Sequence, residues 1–479
     1  MKITFLLLAL LPAVCFGQFT QLGDDIDGNF HNEGTGTRVR LNEAGDIVAI
    51  GAPNSNTTNG LTGRVRMYEY DGNAWLIKGE PLLGDDQGHN LGASIDINAA
   101  GTVVACGAPG YSPSSSIAGY AKVFEWNGSD WVQRGQNLNG TNTNDGFGSA
   151  VSINASGSIV AVAGEPFGEL GYIRVYQWNG SAWDQLGSDI VGTVAQDGFG
   201  RTIELSDTGI SLVVGAPNVD LPINDVGMVR VYEWNGTAWA QKGADVFGEN
   251  VDDFFGNGVT INADGNVIAA GARDVLNASA GYVKVFEWDG ANWDQKAGTM
   301  VGSTGDFYGE VNQLNAAGTV IISGTVLGEY AKVYTFNTIH WIEVDSLTGE
   351  NPLDGFGGAV SVNGFGDRVA VGAKNNDDGG QQSGHVRIYS NPNVLSIDDF
   401  TNGNDIVCYP NPTQKRIRIV SEEPVLKCEL RTIDGRLISI EPTNFGTDFY
   451  IELNELPSGV YLLSVNRGNS QTTMRVFKQ

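Results

Sequence analysis

A glycine that turns one extended run into the next recurs along most of this chain, at Gly45, Gly101, Gly157, Gly209, Gly265, Gly318 and Gly366. Successive spacings are 56, 56, 52, 56, 53 and 48 residues. Six residues after each lies a second glycine (Gly51, Gly107, Gly215, Gly271, Gly324, Gly372), with Ala163 the one departure. The clearest copy, Gly209–Gly248, holds three strand-like runs, ISLVVGA, MVRVYEW and TAWAQKG, with Asn235-Gly236 between the last two. An Asn-Gly pair between aromatic and β-branched runs marks a hairpin, because both central residues take positive φ. RTIEL (Arg201–Leu205) supplies a fourth strand ahead of the unit. Four short strands at a period near fifty make the blade of a β-propeller rather than a helical solenoid.

All ten tryptophans fall in one hairpin of this unit. Trp75, Trp131, Trp183, Trp239, Trp293 and Trp341 open the fourth strand; Trp126, Trp178, Trp234 and Trp288 end the third. The seventh repeat has a third strand, HVRIYS (His385–Ser390), and no fourth. Phe19-Thr20-Gln21-Leu22-Gly23 matches Trp183-Asp184-Gln185-Leu186-Gly187, so the start of the propeller is expected to complete its last blade. Such a swap leaves no open sheet edge. The expected fold is all-β: a seven-bladed propeller over 18–391 closed by its N-terminal strand, a linker at 392–404, and a small β-sandwich over 405–479.

Lys and Arg number 28 against 55 Asp and Glu, a formal charge of −27. That surface repels nucleic acid and anionic lipid, and no nucleic-acid partner is expected. Residues 1–17 read as a secretory signal, with Lys2, an apolar core Phe5–Leu11 and a cleavage site after Gly17. The apolar run is too short to span a bilayer, and no other stretch reads as transmembrane. Of the remaining cysteines, Cys106 lies in the strand VVACGA as a small hydrophobe, whereas Cys408 and Cys428 share the C-terminal segment and could pair.

The runs DGFG (Asp145–Gly148), QDGFG (Gln196–Gly200) and LDGFG (Leu353–Gly357) each precede a VAVGAP-like strand, and Gly51-Ala52-Pro53, Gly107-Ala108-Pro109 and Gly215-Ala216-Pro217 complete the pattern. This resembles the FG-GAP repeats that build the seven-bladed propeller of integrin α chains and of many bacterial surface proteins. Repeats six and seven keep the Phe-Gly or Tyr-Gly half and lose the GAP triplet. The family's calcium loop, Asp-x-Asp-x-Asp-Gly between strands one and two, is not matched. Asn42-Glu43-Ala44-Gly45, Asn98-Ala99-Ala100-Gly101 and Asn262-Ala263-Asp264-Gly265 read as plain turns with Asn and Gly at the demanding positions. No cofactor is expected, and family calcium sites do not transfer; Ca²⁺ stays open only for a different ligand set.

Three residues before each Phe-Gly glycine stands a second series: Glu33, His89, Asp145, Asp197, Asp253, Asp306 and Asp354. Around a central channel it would form a ring able to hold a cation or a cationic ligand, and these residues are the candidate binding site. The competing explanation is that each acid caps its own turn, which accounts for the repetition without a ligand. Strand three carries a basic residue in every repeat (Arg66, Lys122, Arg174, Arg230, Lys284, Lys332, Arg387), expected to thread between blades and pair with carboxylates. The tryptophans are expected to pack across strands rather than stack on sugars. Asp377 and Asp378 form the one acidic pair in the variable strand two–three loops, a weak metal candidate. No nucleophile–base pair appears at recognisable spacing, so no catalytic residue is assigned.

The segment 405–479 has alternating runs RIRIV, KCELRTI and GVYLLSV around an Asp434-Gly435 turn. Tyr409-Pro410-Asn411-Pro412, Asp434-Gly435-Arg436, the Gly459–Tyr461 portion of LPSGVYLLSV, and an ending at Lys478 resemble the C-terminal sorting domain of the type IX secretion system, as found in Bacteroidetes. The resemblance implies type IX machinery as a partner, export across the outer membrane, and release or attachment at the cell surface. The whole reads as a secreted or surface-attached, non-enzymatic binding protein that presents its loops to an extracellular glycan or protein. The alternatives are a polysaccharide hydrolase or lyase using channel-face carboxylates, and a structural surface protein without a specific ligand.

Overall fold

The computed structural model describes residues 18–391, apart from 58–59, 111–117, 167, 221–222 and 274–279. It also describes 406–409, 416–421, 424–432, 436–438, 448–454, 456–457, 459–466 and 471–478. The expected signal at 1–17, the linker at 392–404, and the motif residues Pro410, Asn411, Pro412, Asp434 and Gly435 lie outside the described residues. Two compact units divide at Val394 and Leu395. Among the described residues every regular element is a strand, and no helix is long and apolar enough to cross a membrane.

The first unit is a β-propeller. Its repeats form antiparallel sheets of one strand order, shown by the fourth repeat: Thr202–Leu205, Ser211–Ala216, Met228–Trp234, Trp239–Gln241. The short first strands line the axis, and each touches its neighbours around a closed ring, the seventh (within Phe356–Val362) meeting the first (Arg38–Leu41). Second strands are apolar at nearly every position and wholly buried, as in SLVVGA at Ser211–Ala216, because sheets cover both of their faces. Thr20–Gln21 and Ile26–Asp27 pair antiparallel with His385–Ser390, so the N-terminal strand completes the last sheet. Phe19 is buried in the core shared by the sixth and seventh repeats.

The paired glycines follow from the approach of adjacent blades. A Cβ on Gly215 would lie 2.0 Å from the Gly256 carbonyl oxygen, and one on Gly107 would lie 2.1 Å from that of Gly148. The Phe-Gly glycine of one blade therefore abuts the second strand of the blade before it. The phenylalanine of that pair drops into the core: Phe147, Phe255 and Phe356 are fully buried, Phe199 nearly so. Each fourth-strand tryptophan ties blades together by donating its indole N–H to a carbonyl of the preceding one. Trp75 reaches Leu22 O at 2.8 Å, Trp183 reaches Arg134 O at 2.7 Å, and Trp341 reaches Lys296 O at 3.1 Å.

In the second unit a three-stranded sheet (Ile406–Tyr409, Arg416–Ser421, Asp448–Glu452) and a four-stranded sheet (Leu437–Ile438, Lys427–Thr432, Gly459–Asn466, Gln471–Lys478) share one apolar core. Ile417, Ile419 and Phe449 come from the first sheet, Leu430, Leu463 and Val476 from the second. Tyr461 is buried and donates its hydroxyl to Pro457 O at 2.7 Å. Cys106 and Cys428 are free, buried thiols.

Candidate functional site

The propeller axis is closed at its waist by polar side chains. At the third position of each innermost strand stand Arg40, Asp96, Ser152, Glu204, Thr260, Gln313 and Ser361. All but Arg40 accept a hydrogen bond from the next strand's backbone: Ile153 N to Asp96 Oδ2 at 2.8 Å, Leu205 N to Ser152 Oγ at 3.0 Å, Ile261 N to Glu204 Oε2 at 3.1 Å. The chain continues with Leu314 N to Thr260 Oγ1 at 3.0 Å, Val362 N to Gln313 Oε1 at 3.0 Å and Leu41 N to Ser361 Oγ at 2.9 Å. Innermost strands cannot pair with each other as a continuous sheet, so these side chains satisfy the N–H groups that face the axis.

Arg40 breaks the pattern, being a donor. It pairs with Asp96 instead, Nε to Oδ1 at 3.4 Å, and Asp96 Oδ1 also accepts its neighbour Ile97 N at 3.0 Å. Burial raises the Asp96 carboxyl and pushes Glu204 up to about 7, in both cases against the pull of Arg40. Beyond the waist, burial and then Glu43 raise Asp207 to about 6. Sequence reasoning missed this girdle, because six different residue types hold one register position.

Two small cavities flank the girdle. One, of about 120 Å³, takes in Arg38, Arg201, Glu310 and Asn312; the other, of about 90 Å³, takes in Asn42, Glu43, Asp207 and Asn315. Each has room for a few waters and none for a sugar ring. None of Glu33, His89, Asp145, Asp197, Asp253, Asp306 or Asp354 lines either cavity, so the ring expected around the channel is not there.

Those seven residues sit inside their own turns instead. Asp145 Oδ2 accepts Thr141 N at 2.8 Å, Asn142 N at 2.7 Å and the Tyr172 hydroxyl at 2.8 Å. Asp253 Oδ2 repeats the motif with Glu249 N, Asn250 N and the Tyr282 hydroxyl at 2.8, 2.8 and 2.7 Å. Asp197 takes Phe199 N at 2.9 Å; Asp306 takes Ser303 N, Tyr308 N and the Tyr330 hydroxyl; Asp354 takes the Asn376 amide at 2.9 Å. Glu33 binds Asn29 N at 2.9 Å and the Arg66 guanidinium at 3.2 Å, and His89 Nδ1 lies 3.2 Å from the Tyr120 hydroxyl. Residues at positive φ before the acid (Asn32, Asn144, Gln196, Asp252, Leu353) show how tight these turns are. Asp197 borders a cavity of about 570 Å³, beside Asp220, Arg230 and Asp245.

The basic residues of strand three each meet a carboxylate: Arg174 with Asp189 at 3.1 Å, Arg230 with Asp245 at 2.6 Å, Lys332 with Glu343 at 3.1 Å, Arg387 with Asp25 at 2.7 Å, and Lys122 and Lys284 with Asp85 and Glu249. The strand one–two turns are closed by asparagine: Asn42 Oδ1 takes Asp46 N and Ile47 N at 3.0 and 2.9 Å. Asp377 and Asp378 do not act as a pair. Asp377 Oδ1 caps Gln382 N at 2.6 Å, while Asp378 groups with Asp25 and Glu350.

Among the described residues, a wide recess opens over blades three and four. About 920 Å³ in volume, it is lined by Asn144, Glu165, Glu169, Gln196, Arg201 and Asn218 together with Pro109, Pro166 and several glycines. Arg201 is more than half exposed and pairs with Glu165 at 3.3 Å. In the third blade, Ala163 stands where six other repeats carry glycine.

Residues 407–479 match the family of secretion system C-terminal sorting domains. This tail marks the chain for the type IX machinery, which carries it across the outer membrane to the cell surface or the extracellular space. No curated protein matches the sequence. Among solved structures, hydrazine synthase of Kuenenia stuttgartiensis is similar at 12% identity and a TM-score of 0.47, over 74% of this chain and 94% of that one. The β-propeller domain of Myceliophteria thermophila Cps50 (Swd1) is similar at 10% identity and a TM-score of 0.48, over 78% and 98%. Likeness at this level carries nothing about activity.

Proposed function

We propose that the propeller is the cargo of this export route: a non-enzymatic binding protein with seven FG-GAP-like, integrin α-type blades, which offers its loop face to an extracellular glycan or protein segment. The observation that carries this is the 920 Å³ recess over blades three and four. It has the size of a small-ligand site. Its carboxylates, amides and single guanidinium suit a polar ligand held by hydrogen bonds, and its place beside the strand two–three loops lets neighbouring blades add contacts. The axis, filled at its waist, does not offer the open pair of carboxylates that a polysaccharide hydrolase or lyase would use.

Binding of the full chain to glycan and matrix-protein arrays, in calcium and in chelator, tests this. Arg201→Ala and Gln196→Ala are expected to abolish capture of whichever ligand class binds, at unchanged thermal stability. Capture that survives both changes would overturn the assignment of the recess. Cleavage of a bound glycan, lost on Glu165→Gln or Glu169→Gln, would replace the binding reading by the enzymatic one.

A further inference from the structure

The seven blades act as internal controls for one another, and one register position departs from the rest. Two residues before the basic residue of strand three stand Tyr120, Tyr172, Tyr282 and Tyr330, whose hydroxyls bond His89, Asp145, Asp253 and Asp306. In the last blade that position is His385, 1% exposed, with neither ring nitrogen in a hydrogen bond. Its cross-strand partner also departs. Tyr120 faces Asn139, Tyr330 faces Thr348, and Arg64, Tyr172, Met228 and Tyr282 face Leu83, Val191, Phe247 and Val301; His385 alone faces a carboxylate, Asp27, whose Oδ1 is buried and also without a partner. A buried imidazole and a buried carboxylate oxygen, both unpaired at one spot, cost stability unless something binds them.

Asp25 completes the group. Its Oδ2 lies 3.7 Å from His385 Nδ1, and ligand atoms of Asp25, Asp27 and His385 all fall within 4.8 Å of one another. Arg387 holds Asp25 from the other side, Nη2 to Oδ2 at 2.7 Å, and also pairs with Glu350. It orients Asp25 as a second-layer partner orients a metal ligand.

We propose that Asp25, Asp27 and His385 bind one divalent ion of the zinc class, which pins the N-terminal strand to the last blade. One imidazole and two carboxylates, with water in the fourth position, is a donor set that Zn²⁺ accepts, whereas a nitrogen ligand disfavours Ca²⁺ and Mg²⁺. At bond lengths of about 2.0–2.1 Å, tetrahedral ligand atoms stand roughly 3.3 Å apart, so an ion would draw in the 3.7 Å His385–Asp25 contact by a few tenths of an ångström and any pair near the 4.8 Å limit by about 1.5 Å. Two ligands come from the first strand of the propeller and one from the last, so the ion would tie the two ends that close the ring.

The test uses the full chain stripped with chelator and titrated with Co²⁺, whose visible spectrum reports its ligands, followed by Zn²⁺. The expected result is one equivalent of Co²⁺ in a low-symmetry site, displaced by Zn²⁺, with a rise in thermal midpoint that saturates at the same equivalent. Asp27→Asn, which keeps size and polarity, should weaken binding at least about tenfold, and His385→Gln should remove it, since the loss of even an indirect metal partner costs about that much. Asp377→Asn, a change in the same loop region outside the group, should bind as the wild type does. If His385→Gln fails to fold, Asp27→Asn decides. No one-equivalent Co²⁺ spectrum, or equal binding by the Asp27→Asn and wild-type chains, would overturn the proposal.

Discussion

Asp253→Ala separates a turn cap from a ligand site. The carboxylate is fully buried, and Oδ2 accepts three donors: Glu249 N at 2.8 Å, Asn250 N at 2.8 Å and the Tyr282 hydroxyl at 2.7 Å. Alanine leaves all three without an acceptor. At roughly 1 kcal/mol or more for each orphaned buried donor, the loss is about 3–4 kcal/mol. Asp253→Asn keeps an acceptor oxygen and gives up only the charge, so it should cost about 1–2 kcal/mol. Urea unfolding followed by tryptophan fluorescence reads both, because tryptophans sit on the outer hairpin of nearly every blade. Ligand capture by the alanine variant, assayed well below its unfolding midpoint, should be unchanged. An alanine variant within about 0.5 kcal/mol of wild type would refute the cap reading, and one that kept its stability but lost capture would restore the acidic series as a binding site.

Other consequences of the structure can be checked as directly. Because burial lifts Glu204 from an ordinary 4.5 to about 7, the folded chain holds a proton there that the unfolded chain releases. Its contribution is therefore fully present below pH 4.5 and lost as pH rises through 7, a fall on the order of 3 kcal/mol. Glu204→Gln should flatten the stability–pH curve across that window, and an unchanged slope would show that Glu204 does not titrate there. Gly215→Ala places a methyl 2.0 Å from the Gly256 carbonyl oxygen and should cost about 1–3 kcal/mol by denaturant midpoint; a neutral result would mean that the blades are not packed that closely. Removal of residues 18–27 exposes the edge of His385–Ser390 and should give concentration-dependent association by light scattering, whereas a monodisperse, cooperatively folding product would refute the role of that strand. Removal of 407–479 should keep the protein behind the outer membrane by cell fractionation, and normal surface delivery would show that export does not depend on the tail.

The fold was legible because its determinants repeat. Glycines at a fixed interval, an Asn-Gly hairpin and an aromatic at each end of it recur in most blades, and the structure gives each a role. Gly215 admits the Gly256 carbonyl, Asn235 closes its hairpin by accepting Thr237 N and Ala238 N at 3.0 and 2.9 Å, and Trp239 reaches Leu186 O at 3.0 Å. The fourth strand borrowed from the N-terminus was readable for the same reason, as a missing term in a series. The acidic series was read in its right positions, with a turn cap weighed against a ring of ligands, and Asp145 and Asp253 lie in the structure as caps. Sequence spacing gives the register of Asp145 or Asp253, but not that two backbone N–H groups and a tyrosine hydroxyl from the next strand enclose the carboxylate.

What repeats in this chain is therefore architecture, and function is to be sought where the repeat fails. A residue needed by every blade has a partner in every blade, as the strand-three cations and the fourth-strand tryptophans do. Arg40 is the one cation in the girdle; it pairs with Asp96 and opposes the upward shift of Glu204 at the axis. Arg201 lines the recess over blades three and four, and Ala163 stands where the other repeats carry glycine. His385 and Asp27 put an imidazole opposite a carboxylate where no other blade does, and both keep an unpaired buried atom. None of these is conspicuous by residue type, and each becomes visible only once the structure sets seven equivalent positions side by side. A lone histidine in HVRIYS has no signal of its own; opposite an aspartate, where the third and fifth blades place tyrosine opposite valine, it stands out as a candidate metal ligand.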